Sequence, residues 1–407
     1  FRLEPEEEAM SLNTTPRANR LHIGIFGKRN AGKSSLTNAL TRQEISVVSE
    51  HPGTTTDPVY KSMELHPVGP VVFIDTAGFD DEGELGKLRV EKTREILDKT
   101  DVAIVIFDDM DFSQEKSWVE AMEKKEIPII PVVGKADEGN DRAKLAEKIE
   151  KELKKKPILV SALRKEGIEA IKAAIEEAVP EDYKRQRILS GLTGEGDLVL
   201  LVMPQDIQAP KGRLILPQVQ TIRELLDNRC TTVCTTAGEF EKSLQYLSKA
   251  PSLIITDSQC FKQVYEAKPA ESRLTSFSVL FAAYKGDIHA FTDGAAAIDG
   301  LTEKSHVLIA EACTHAPLEE DIGRVKIPRM LKKKFGESLD VQVVSGNDFP
   351  KDLTSYDLVI HCGACMFNRK HVLSRIAKAR EAGVPITNYG ITIAKLSGIL
   401  DKIQLPE

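Results

Sequence analysis

The sequence predicts an α/β protein: a larger α/β domain followed by two smaller α/β domains with mainly parallel sheets. Three observations predict it. Short β-branched runs alternate with amphipathic helical patterns from Leu21 onward, the trace that parallel sheets with crossover helices leave in a sequence. A glycine-rich segment, Gly27 to Ser34, stands between the first such run and the first helical pattern. The length of 407 residues, at about 150 per domain, sets a prior of two to three domains.

Taken in order, residues 1–20 read as an N-terminal arm whose acidic start does not resemble a secretory signal. The first domain spans 21–182, with strands expected at Leu21–Phe26, Val71–Asp75, Val102–Phe107, Ile127–Val133 and Ile158–Val160. Proline and charge interrupt the apolar periodicity at Pro180–Arg187, which marks a linker. The second domain, 183–268, has strands expected at Leu198–Met203, Thr231–Thr235 and Leu253–Thr256. Three strands make a small core with open sheet edges, so pairing of two copies across a two-fold axis is expected here. The third domain, 269–407, has strands expected at Phe277–Ala282, His306–Ala310, Val341–Val344 and Leu358–His361.

Lys and Arg number 55 against 62 Asp and Glu, a formal charge of −7, which argues against a surface made to grip nucleic acid or an anionic membrane. No apolar run approaches the roughly 20 residues of a spanning helix. Six cysteines are too few for a disulfide scaffold and favour thiol or metal chemistry in a reducing compartment. The expectation is a soluble, cytoplasmic, multidomain protein. Cys230, Cys234 and Cys260 are expected as packing residues.

Gly27-Lys-Arg-Asn30-Ala31-Gly32-Lys33-Ser34-Ser35 fits the phosphate-loop pattern. Its glycines let backbone N–H groups face the phosphates at a helix N-terminus, Lys33 reaches the β/γ oxygens, and Ser34 ligates Mg²⁺. Asp75-Thr-Ala-Gly78 closes a strand, placing Asp75 to bind Mg²⁺ through water and Gly78 to sense the γ-phosphate. Pro52 to Asp57 reads as a first switch segment, with Thr55 as a Mg²⁺ ligand. Gly134-Lys135-Ala136-Asp137 and Ser161-Ala162 follow two further strands and match base-reading motifs. A carboxylate such as Asp137 accepts two hydrogen bonds from guanine that adenine does not offer. Five motifs in order make the first domain a phosphate-loop GTPase domain binding GTP through Gly27, Asn30, Ala31, Gly32, Lys33, Ser34, Ser35, Thr55, Asp75, Gly78, Lys135, Asp137, Ser161 and Ala162. Lys33, Thr55, Gly78 and Asn30 are the expected catalytic set.

Two departures stand out. Gly134 replaces the asparagine that usually opens the guanine motif, removing an amide that braces the loop. Phe79 stands where many signalling GTPases place a water-orienting glutamine, so a low intrinsic rate is expected. Asn30 resembles the asparagine of potassium-activated GTPases, where its carbonyl holds a K⁺ that supplies positive charge. The alternative for Asn30 is a loop-bracing amide.

In the third domain Cys313-Thr-His315 is followed by His361-Cys362-Gly-Ala-Cys365. Both segments sit at the carboxyl ends of expected strands, where α/β folds place ligands. Three cysteines with flanking histidines allow two readings: a closed Cys₃His zinc site, or a [4Fe–4S] cluster with one iron open to His315, His361, water or an incoming molecule.

A phosphate-loop GTPase joined to Cys-x-His…His-Cys-x-x-Cys resembles the [FeFe]-hydrogenase maturation GTPases, the HydF family, over the chain from Leu21 onward. The resemblance implies a homodimeric scaffold with GTPase, dimerisation and iron–sulfur cluster-binding domains. It implies that Cys313, Cys362 and Cys365 hold the [4Fe–4S] cluster, with His315 or His361 as fourth ligand. It further implies a diiron precursor as cargo, delivery to the apo-hydrogenase catalytic subunit, and two radical-SAM maturases as upstream partners. A zinc-stabilised GTPase acting in tRNA modification or ribosome assembly is the alternative; no RNA-binding motif is evident to support it.

Overall fold

The computed structural model describes residues 15–41, 58–78, 91–139, 141–204, 214–312, 321–346, 348–364 and 367–406. The chain divides into two compact units between Arg185 and Gln186.

The first unit is built on a six-stranded sheet in the order β2-β3-β1-β4-β5-β6. Its strands are β1 (Leu21–Gly27), β2 (Val59–Leu65), β3 (Gly69–Asp75), β4 (Val102–Phe107), β5 (Ile129–Val133) and β6 (Ile158–Leu159). All neighbours pair in parallel except β2 with β3. Every residue of β1 and β4 is buried, which is why both read as continuous apolar runs. One face packs Ile23, Ile25 and Val71 against Leu36, Leu40, Ile171 and Ile175. The other packs Phe26, Val105 and Phe107 against Trp118, Met122 and Ile149. The five strands expected here are present, with ends displaced by one or two residues. The half-exposed antiparallel edge strand β2 was not expected, because a short run broken by Lys61, Ser62 and Glu64 carries little apolar signal.

The second unit holds two four-stranded parallel sheets. The first contains β7 (Leu198–Val202), β8 (Thr231–Thr235), β9 (Leu253–Thr256) and β10 (Arg273–Ser276), ordered β10-β9-β7-β8. The second contains β11 (His306–Ala310), β12 (Asp340–Val344), β13 (Leu358–His361) and β14 (Ile386–Asn388), ordered β12-β11-β13-β14.

The two sheets have one topology. In each, the first strand lies between the second and third, and the fourth lies outside the third. In each, the fourth strand runs directly into a helix capped by its own last residue. Ser276 Oγ accepts from Val279 N, and Asn388 Oδ1 accepts from Ile391 N. The second positions of these helices, Ser278 and Gly390, face each other: a Cβ on Gly390 would lie 2.4 Å from Ser278 Oγ. One continuous core, including Ile254, Val279, Ile309 and Ile391, joins the two sheets.

The structure corrects one expected strand. Phe277–Ala282 belongs to the helix Phe277–Lys285, started by the Ser276 cap and buried at Phe277, Val279, Leu280, Phe281 and Ala282. A short, wholly buried apolar run has no periodicity to separate helix from strand. Cys234, expected in the packing, is instead exposed on β8. No helix among the described residues is long and apolar enough to cross a membrane.

Candidate functional site

The carboxyl ends of β1, β3, β4 and β5 share one edge of the first sheet and bring the nucleotide motifs together. Gly27, Asn30 and Gly32 adopt positive φ values of 154°, 61° and 94°, and the loop turns into the helix Lys33–Thr41. Asn30 tolerates this conformation because its short polar side chain is among the few that do. Lys33 is buried, and its ammonium donates to the carbonyls of Gly27 at 3.0 Å and Lys28 at 2.7 Å. It thus sits curled inside the loop that it would serve when phosphate arrives.

Ser34 Oγ donates to Asp75 Oδ2 at 2.6 Å. Asp75 Oδ1 is buried and has no hydrogen-bond partner among the described residues. Burial raises the Asp75 pKa, against the Ser34 hydroxyl and the Lys33 and Lys61 ammoniums. A hydroxyl beside a carboxylate with an orphaned oxygen is a donor set that suits hydrated Mg²⁺. Gly78 is buried three residues beyond Asp75.

On the base side, Lys135 has φ 53° and its ammonium lies 3.8 Å from Asp108 Oδ2. Ala136 N donates to Val160 O, tying this loop to the segment that begins at Ser161. Asp137 is half-buried, and its hydrogen bond to Ser161 is the main cause of its lowered pKa. Ser161 Oγ also accepts from Arg164 N. The departure at Gly134 has a spatial correlate: a Cβ there would lie 3.0 Å from both Ala31 O and Ile106 Cγ2. The base loop therefore lies directly against the phosphate loop. Thr55 and Phe79 lie outside the described residues.

One group here escaped the sequence reading. Glu115, on the helix Ser113–Lys124, is fully buried with both carboxylate oxygens lacking hydrogen bonds among the described residues. Its nearest cation is Lys28 of the phosphate loop, 3.6 Å away, which also donates to Asp111 O. Glu115 shares its helix face with Trp118, Val119 and Met122 at i+3, i+4 and i+7, a spacing that could have signalled its burial. Burial raises the Glu115 pKa, and the native state then holds a proton that the unfolded chain releases. Stability therefore falls as pH rises from the unfolded-state value through the raised native one. Glu115→Gln removes that loss. The variant should be more stable than the parent at pH 7 in urea unfolding, and the advantage should shrink as pH falls toward about 4.

At the second unit's carboxyl edge, β12 and β13 lie on opposite sides of β11, so a topological switch point falls between β11 and β13. Ala310 pairs with His361 across it. Cys362 Sγ accepts from Ala312 N at 3.0 Å and from Ala364 N at 3.4 Å. Residue 312, immediately before Cys313, is thus held on the sulfur of Cys362. Cys313, His315 and Cys365 lie outside the described residues, and among the described residues no group of three His, Cys, Asp or Glu side chains is gathered to hold a metal.

His361 is fully buried, and both ring nitrogens are engaged. Nε2 lies 3.1 Å from Arg375 Nη1 and Nδ1 lies 2.8 Å from Cys362 O. Guanidinium only donates, so Nε2 accepts and Nδ1–H donates, which makes the ring a neutral tautomer. Burial first, and then Arg375, push its pKa down to about 3. The Arg375 guanidinium lies over the rings of Phe349 and Phe367, 4.7 Å from each centroid. In this arrangement His361 offers no lone pair to a metal and instead braces the backbone at Cys362.

Comparison with known proteins divides along the same lines. The family described as hydrogen maturase F dimerization domain matches residues 188–286, and the hydrogen maturase F tetramerization domain matches 289–405. Residues 22–135 match the 50S ribosome-binding GTPase family. GTPase Der of Wolinella succinogenes is 36% identical over 154 residues, covering 37% of this chain and 32% of that protein. The tRNA modification GTPase MnmE of Prochlorococcus marinus is 36% identical over 149 residues, covering 36% and 32%. The chain thus spans about a third of the length of these curated relatives. Among solved structures, Era of Aquifex aeolicus bound to GDP·AlF₄⁻ is similar with a TM-score of 0.36 and 19% identity, over 53% of this chain and 92% of that one. The G domain of the T. maritima FeoB iron transporter is similar with a TM-score of 0.32 and 22% identity, over 40% and 99%. With a GTPase domain at its head and both maturase-specific domains in order behind it, over more than half of its length, the chain belongs to the hydrogen maturase F family of GTPases.

Proposed function

We propose that this protein is a GTP-hydrolysing scaffold that carries a [4Fe–4S] cluster and assembles or delivers the diiron precursor to apo-[FeFe]-hydrogenase. The observation that carries the cluster reading is the Ala312 N–H bond to Cys362 Sγ, which sets the residue before Cys313 against Cys362 at a switch point. Cys313, Cys362 and Cys365 would hold the cluster. When bound, it supplies an iron whose remaining position is open to a guest ligand. With His361 engaged by Arg375 and Cys362, His315 or an exogenous group is the candidate for that position.

At the nucleotide edge, Lys33 would exchange its loop carbonyls for β/γ-phosphate oxygens, and Ser34, Thr55 and Asp75 would hold Mg²⁺, Asp75 through water. Lys135 and Asp137 would hold guanine, with Ser161 and Ala162 closing the base loop. Asn30 would ligate K⁺, whose charge stabilises the developing negative charge where no glutamine follows Gly78. On that basis GTP hydrolysis should run about tenfold faster in KCl than in NaCl, and Asn30→Ala should abolish the difference. Equal rates for the parent in the two salts would remove K⁺ from the reading.

Self-association is the remaining part of the proposal. β8 is an edge strand with half-exposed and exposed residues, and a second copy pairing along it would satisfy its open backbone groups. The hydrogenase and two radical-SAM maturases are the proposed partners, in the cytoplasm and without nucleic acid. Anaerobic reconstitution with iron and sulfide, read by absorption and metal content, tests the whole. About four irons per chain are expected. One zinc and a colourless protein would replace the cluster by a closed structural site.

A further inference from the structure

In the register of the sheet, the first residue beyond each of the four strands β12, β11, β13 and β14 is Ser345, Glu311, Cys362 and Tyr389. Four polar side chains thus stand in a row along the carboxyl edge. Glu311, which is buried, is its hub. Its Oε2 accepts from Arg324 Nε at 3.0 Å and from Ser345 Oγ at 3.1 Å, and its Oε1 accepts from the Tyr389 hydroxyl at 3.4 Å. Arg324 Nη2 closes the ring on Ser345 Oγ at 2.7 Å. The turn that carries Arg324 is itself anchored, since Asp321 Oδ1 accepts from Arg324 N.

Space at the hub leads to the same conclusion. Gly323 passes so close over the pair that a Cβ there would lie 1.9 Å from the Tyr389 hydroxyl and 2.8 Å from Glu311 Oε1. The turn Ile322–Lys326 therefore lies flat on the carboxylate and phenol. On the other side, Glu311 is followed by Ala312, whose amide donates to Cys362 Sγ. Glu311 N is bonded to Val344 O and its carbonyl accepts from Gly346 N, so this residue is held by backbone as well as side chain.

We propose that Glu311 is a positioning residue for the cysteine site: through Arg324 and Tyr389 it pins the turn Ile322–Lys326 to the sheet edge, and through Ala312 it presents a backbone donor to Cys362. It touches no metal. The proposal rests on the cluster reading, and it adds that cofactor retention depends on a carboxylate outside the donor set. A carboxylate that accepts from a guanidinium and two hydroxyls is more than a packing group, because charge-assisted bonds are the strong ones.

The test uses the full chain with Glu311→Gln and, as a milder change that keeps every charge, Tyr389→Phe. In metal-free protein, hydrogen exchange of the Ile322–Lys326 amides should quicken about tenfold in Glu311→Gln and about threefold in Tyr389→Phe. After anaerobic reconstitution, a chelator should strip iron from each variant faster by similar factors, about tenfold and threefold. GTP hydrolysis should match the parent in both, which shows that the chain is folded. Unchanged exchange, or faster exchange with unchanged iron loss, overturns the proposal. A parent that takes up no iron sinks the cluster reading separately, while the exchange arm still decides whether Glu311 holds the turn.

Discussion

Cys362→Ser is expected to reduce the reconstituted iron content from about four per chain to less than one, with the absorption of the cluster lost in parallel. The argument is one of chemistry at nearly constant shape. Serine replaces sulfur by a smaller, harder oxygen that remains protonated at neutral pH and is a poor ligand for iron–sulfur clusters. Its hydroxyl can still accept from Ala312 N and Ala364 N, the two bonds that Cys362 Sγ accepts. The loss of stability should therefore stay within about 1 kcal/mol, and the variant should melt close to the parent. Iron retained at the parental level would remove Cys362 from the donor set.

Asp137→Asn is expected to weaken GTP binding about a hundredfold and to shift preference toward xanthosine triphosphate, read by competition against a fluorescent nucleotide. A half-buried carboxylate with a pKa lowered chiefly by Ser161 stays ionised through the neutral range, ready to accept from guanine N1–H and N2–H₂. The amide in its place offers one acceptor and a donor, which suits a second carbonyl on the base. The readout separates recognition from folding because xanthosine triphosphate should rescue hydrolysis. A variant that still prefers GTP would transfer base reading to another residue of the loop. Gly134 sharpens this expectation: with no amide side chain at that position, base recognition leans more heavily on Asp137.

Much of this site was legible in the sequence because its chemistry is local. A phosphate loop needs its glycines, lysine and hydroxyl within eight consecutive residues, and Gly27 to Ser34 supplies them between a strand and a helix. The apolar runs of β1, β4, β7 and β11 announce strands buried on both faces. What stayed hidden depends on neighbours that are distant in the chain. Glu115 stands at helical spacing from Trp118, Val119 and Met122, but only the fold sets it near Lys28 of the phosphate loop. His361 reads as a candidate ligand, and only the fold sets Arg375 on its free nitrogen. The helix Phe277–Lys285 reads as a strand until its cap and surroundings are known.

By itself the sequence determined the nucleotide chemistry and the order of three α/β blocks, since each of these is a property of residue type and spacing. Tertiary structure decided the rest. It placed Ala312 on Cys362 across the β11–β13 switch point, gave the second and third blocks the same strand order and a shared core, and gathered Ser345, Glu311 and Tyr389 from three strand ends around Arg324. The physical reason is that hydrogen bonds and burial act over a few ångströms in space. Residues dozens of positions apart acquire such neighbours only when the sheet brings their strand ends into register.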